Sequence, residues 1–98
     1  MRVNATGKPE GCKLLRIDAE VEAALDGPVV ASISVSGDFF AVPEEAFETL
    51  EARLAGAKLA DLAAAFDDLL PELGVQAVGI TGAGVAATLQ GAIDGLSL

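Results

Sequence analysis

Ser36-Gly37-Asp38-Phe39-Phe40-Ala41-Val42-Pro43-Glu44-Glu45 is the stretch in which this chain changes its period. Before Gly37 the apolar residues recur every second position. After Val42 they recur every third or fourth. Working upstream, residues 29–36 place Val29, Ala31, Ile33 and Val35 on one face and Val30, Ser32, Ser34 and Ser36 on the other. Residues 13–22 do the same, with Leu15, Ile17, Ala19 and Val21 opposite Leu14, Arg16, Asp18, Glu20 and Glu22. Both read as half-buried strands. Leu25-Asp26-Gly27-Pro28 lies between them, and its Asp-Gly step favours a tight turn. The pair therefore predicts an antiparallel hairpin with one wet face. Residues 2–6 are expected to add a third strand, and residues 7–11 form a loop.

Downstream, Pro43 suits the first helical position, where its missing N–H costs nothing. Glu44 and Glu45 follow in the first turn and complement the helix dipole. Phe47, Leu50 and Leu54 make an apolar stripe that stops at Gly56. Leu59, Leu62, Phe66, Leu69 and Leu73 make a second, over a helix predicted at 59–70 and limited by Pro71. Residues 73–80 are short and apolar and fit helix and strand equally. Thr81 is placed to cap a third helix over 82–96, with Val85, Leu89, Ile93 and Leu96 as its stripe. Strands first and helices after give an α+β class: a small antiparallel sheet of two to three strands with two to three helices packed on it. At 98 residues, one domain over 1–98 is expected.

Composition narrows the function. Fifteen acids against six bases leave a net charge of −9, which repels a phosphate backbone and favours partners with basic surfaces. No run approaches the roughly 18 apolar residues of a spanning helix, and the start lacks the apolar core of a signal peptide, so a cytoplasmic protein without membrane contact is expected. There is no His, hence no common general base and no common metal ligand. Cys12 is the single cysteine and can form no internal disulfide.

Four groups invite a chemical reading. Gly82-Ala83-Gly84-Val85-Ala86-Ala87 fits a dinucleotide fingerprint, but too little chain follows for the second strand and acidic residue of that unit. Close packing of a helix N-terminus explains it better. Cys12 sits beside Lys13 in a Gly-flanked loop, with no base to activate it. Glu44, Glu45, Glu48 and Glu51 read as a solvated helix face. The joint itself stands apart. Gly37 permits a positive φ, and Asp38 is suited to bond the turn's own backbone. Phe39 and Phe40 are neighbours, so in an extended segment one ring faces the core and the other faces outward. Phe40 is taken as the outward ring. The alternative is that both rings are buried and the joint is only a corner.

Gly11-x-Lys13-Leu14-Leu15-Arg16-Ile17, followed by Ile33-x-Val35-Ser36-Gly37-Asp38-Phe39-Phe40-x-x-Pro43-Glu44-Glu45, resembles the C-terminal domain of lipoate–protein ligase. It looks most like the free-standing version of archaea and some bacteria, where the ligase is split into a large catalytic chain and a small accessory chain. The resemblance spans about residues 8–70. It implies a SufE/NifU-like α+β fold and an accessory, non-catalytic role. The partner catalytic chain would bind lipoate and ATP with magnesium, form lipoyl-AMP and pass the lipoyl group to acceptor domains. This chain would hold no cofactor of its own and no catalytic residue. It would dock in a heterodimer through Lys13, Gly37, Asp38, Phe39, Phe40, Pro43 and Glu44. Cys12 departs from the family, which has a second Gly there, so this position must tolerate a Cβ. A SufE-like sulfur acceptor or interaction module using Cys12 is the alternative function.

Overall fold

The computed structural model describes residues 1–96. Strand β1 (Arg2–Gly7), β2 (Leu15–Glu22) and β3 (Val29–Gly37) form an antiparallel meander, and β5 (Ala57–Lys58) pairs with the start of β3. The sheet order is β1-β2-β3-β5. Two other short strands, β4 (Phe40–Val42) and β6 (Gln76–Val78), pair with each other as a separate antiparallel ribbon. Helices α1 (Glu44–Arg53), α2 (Leu62–Glu72) and α3 (Gly82–Leu96) complete the chain. The class is α+β, as the order of periods predicts. The sheet has four strands rather than two to three, because β5 is only two residues long and shows no period in the sequence.

The faces follow the side chains. Leu15, Ile17, Ala19 and Val21 in β2 and Val3 and Ala5 in β1 are buried under the helices. Arg16, Asp18, Ser34 and Ser36 remain on the open face. The alternation in β3 needs a correction. Glu20 opposes Ser32 while Val21 opposes Val30, so Ala31 is an extra residue. This bulge flips the phase of the strand's start. Val30 is therefore core, with no exposed surface, and Val29 and Ala31 are only half-buried.

The helical stripes meet beneath the sheet. Phe47 and Leu50 from α1 with Leu54 just past its end, Leu62, Phe66 and Leu69 from α2, and Val85, Leu89 and Ile93 from α3 belong to one hydrophobic cluster with the strands. Phe66 is wholly buried and meets Phe47 edge-on, with ring centroids 6.3 Å apart. Leu96, expected on the α3 stripe, is instead exposed at the helix end. Helix α2 also departs from expectation: Leu59–Asp61 is a 3-10 turn, and the helix proper starts at Leu62 and runs through Pro71. It then closes by a Schellman motif. Val75 N–H donates to Leu70 O at 2.8 Å and Gly74 N–H to Pro71 O at 3.2 Å, with Gly74 at φ +69°. That reversal aims β6 back toward β4.

Candidate functional site

The joint is held by backbone geometry. Asp38 N–H donates to Leu14 O at 3.0 Å, and Lys13 N–H donates to Gly79 O at 2.8 Å. Gly37 has φ +142°, and a Cβ there would run into the carbonyl of Leu14. Only glycine suits that place. The Asp38 carboxylate makes none of the side-chain bonds expected of it; its contribution is through its N–H. Lys13, Gly37, Asp38 and Phe39 are thus gathered in one corner, and Gly79 lies against both the Lys13 stem and the Phe39 backbone. Pro43 and Glu44 stand at the far end of β4, where Pro43 caps α1 rather than opening it. All of these but Gly37 and Phe39 are exposed.

The two aromatics diverge. Phe39 is half-buried, with its ring centroid 5.5 Å from that of Phe47. Phe40 is 63% exposed. Its partner across the ribbon is Val78, 66% exposed, so the two side chains share one outward face. Sequence reading missed Val78, because residues 73–80 carry too few positions to separate strand from helix. Leu73-Gly74 just ahead of Val75 was the available signal: a helix stop followed by a short apolar run. Single exposed apolar side chains are ordinary, whereas contiguous exposed apolar patches mark contact surfaces.

Helix α1 flanks this surface. Its Glu51 is not on a solvated face, as its spacing suggested. Glu51 is half-buried, and its Oε2 accepts the Val35 N–H of β3 at 2.6 Å. The carboxylate thereby occupies a backbone donor on the side of β3 away from β2. Burial pushes the Glu51 carboxyl above its ordinary range; the Val35 N–H pulls it down, and the negative charge of Glu48 raises it further. Folding thus favours the neutral acid. The stability Glu51 contributes is full below its unfolded value and is lost as pH rises through its raised folded value. Glu51→Gln keeps an oxygen for Val35 and carries no charge. It should melt above the parent at about pH 7, with the gap closing toward about pH 3, below the ordinary carboxylate range. A gap that widens on acidification in parallel thermal melts would contradict this.

Cys12 lies on the other side of the corner. It is 8% exposed, with Sγ 3.5 Å from Thr81 Oγ1. Thr81 caps α3 as expected, its Oγ1 accepting Gly84 N–H at 3.0 Å, and Asp67 Oδ1 takes Gly82 N–H at 2.9 Å. A Cβ on Gly82 would strike the Ala63 carbonyl, and one on Gly84 would strike Cys12 Sγ. The two glycines therefore serve close packing of α3. Position 12 carries its Cβ without strain, since every positive φ falls on a glycine. A thiol in this place is not presented to a donor. Cys12→Ser should change stability by under about 1 kcal/mol. Thermal melts of the serine variant check this. Among the described residues no group of three or more potential metal ligands is gathered, and no helix is long and apolar enough to cross a membrane.

No family model and no curated protein matches the chain. A solved structure does. The fold is shared with a chain of an archaeal lipoylation system. That structure describes a bi-partite lipoate protein ligase and its E2 lipoyl domain from Thermoplasma acidophilum, and the match has a TM-score of 0.67 at 26% identity. It covers 91% of this chain and 94% of the Thermoplasma chain, so the two are similar nearly end to end.

Proposed function

We propose that this chain is the accessory subunit of a split lipoate–protein ligase. The observation that carries the reading is the end-to-end likeness to a chain of the Thermoplasma lipoylation system. The surface supports it. The outward pair Phe40 and Val78 offers a contact face. In this reading the large chain binds lipoate and ATP with magnesium and forms lipoyl-AMP. The accessory chain docks through the corner built from Lys13, Gly37, Asp38, Phe39 and Phe40, with Pro43 and Glu44 beyond it. Its effect is conformational: docking favours the arrangement of the large chain's loops that is competent for adenylation. A binding partner shifts such an equilibrium only by its difference in affinity for the two states.

Reconstitution tests this. With ATP, magnesium and lipoate, the chain alone should release no pyrophosphate. Mixed with the large ligase chain of the same organism, it should restore lipoyl-AMP formation and lipoylation of an acceptor domain. Vigorous adenylation by this chain alone, or a large chain indifferent to its presence, would sink the reading.

A further inference from the structure

Beside the exposed ribbon lies a groove of about 350 Å³ between β4, α1 and the unpaired side of β3. Phe39, Phe40 and Phe47 form its apolar walls, and Glu44, Glu48 and Glu51 line its α1 side. These three carboxylates fall at i, i+4 and i+7, one face of the helix. None of them takes part in the ion pairs found among the described residues, which join Met1 to Glu20, Arg2 to Asp18, Arg53 to Glu72 and Lys58 to Asp26. The groove thus combines an aromatic wall with two carboxylates, Glu44 and Glu48, whose charge no ion pair among the described residues balances, while Glu51 is engaged by the Val35 N–H. The groove's volume is near the low end of small-ligand sites, about 300 Å³.

We propose that this groove seats an arginine- or lysine-bearing extended segment of the large ligase chain. Aliphatic stems lie along Phe39 and Phe47. The cationic head rests over the face of the exposed Phe40 ring and meets Glu48 and Glu44 at the rim. A neutral or acidic segment would leave the carboxylates facing apolar surface with no partner, so complementarity selects a basic one. The chain's net charge of −9 attracts the same kind of partner over a longer range. The inference rests on the accessory-subunit reading and names the chemistry of the docked segment.

Two measurements test it separately from that reading. The first needs no ligase. The isotope-labelled chain is titrated with a blocked alanine peptide carrying two arginines, and with the same peptide carrying citrulline. The arginine peptide should shift the amides of Val35, Phe39, Phe40 and Glu48, and Glu48→Gln should reduce that response at least threefold. Asp94→Asn on α3 should leave it unchanged. Equal response to citrulline, or shifts spread over the whole acidic surface, would overturn the inference. So would shifts at the same amides on concentrating the chain alone, which would make a second copy the occupant. The second measurement is affinity for the large chain at rising salt. The double variant Glu44→Gln with Glu48→Gln should bind at least tenfold more weakly at low salt and depend less on salt. If parent and variant bind alike, the groove is not the seat, although the accessory role stands. If the large chain ignores the parent altogether, the accessory role fails, and the peptide titration alone decides what the groove accepts.

Discussion

Phe66→Ala should lose about 3–5 kcal/mol of stability, the range for deleting a large aromatic from a close-packed interior. Phe66 has no exposed surface, sits mid-way along α2, and is the largest of the fully buried side chains. Its ring meets Phe47, which in turn meets Phe39, so the truncation removes the buried end of a chain of ring contacts that runs from the core to the joint. A domain of this size has about 5–15 kcal/mol in total, and each kcal/mol moves the midpoint by about 4–8 °C. The variant should therefore melt at least about 12 °C lower, measured by circular dichroism at 222 nm. A shift under about 5 °C would mean that neighbours collapse into the space far better than this packing suggests.

The second large effect separates adjacent residues. Phe40→Ala should leave the melting midpoint almost unmoved, since a mostly exposed ring away from special features contributes within about 0.5 kcal/mol. Its affinity for the large chain should fall by at least about 2 kcal/mol, roughly thirtyfold, as for an aromatic anchor at an interface. Phe39→Ala should show the opposite balance. The ring is partly exposed, so its cost falls short of that of a fully buried Phe, at about 2–3 kcal/mol. Thermal melts beside titration calorimetry of both variants give the answer. If the two lose stability equally and neither loses affinity, the joint is a structural corner and nothing more.

Where the chain's periods are long they were readable. The alternations of β2 and most of β3, the stripe of α1, that of α3 up to Ile93, and the Thr81 cap all stand in the structure as the spacing implies. So does the divergence of Phe39 and Phe40, which follows from the geometry of any extended pair. What escaped has a common cause. The strands β5 and β6 have two and three residues, and a period cannot be seen in so few positions. The bulge at Ala31 leaves the composition of β3 unchanged while inverting its phase. Glu51 looks like any exposed helix carboxylate until tertiary packing brings the Val35 N–H against it. Val78 became half of a surface patch only through pairing with a distant segment.

That pairing has a consequence in time. Phe40 and Val78 are opposite one another, yet helices α1 and α2 lie between them in the chain. The β1–β2–β3 meander closes short loops and can form early. The ribbon closes a long one, and loop closure must be repaid by contacts that exist only after both helices have docked. Being short and at the surface, it also opens most easily by local fluctuation, so its amides should be among the quicker to exchange with solvent. The contact face is thus assembled last and lost first. A nascent or damaged copy, with its meander intact but its helices loose, would lack the paired side chains by which a partner could grip it.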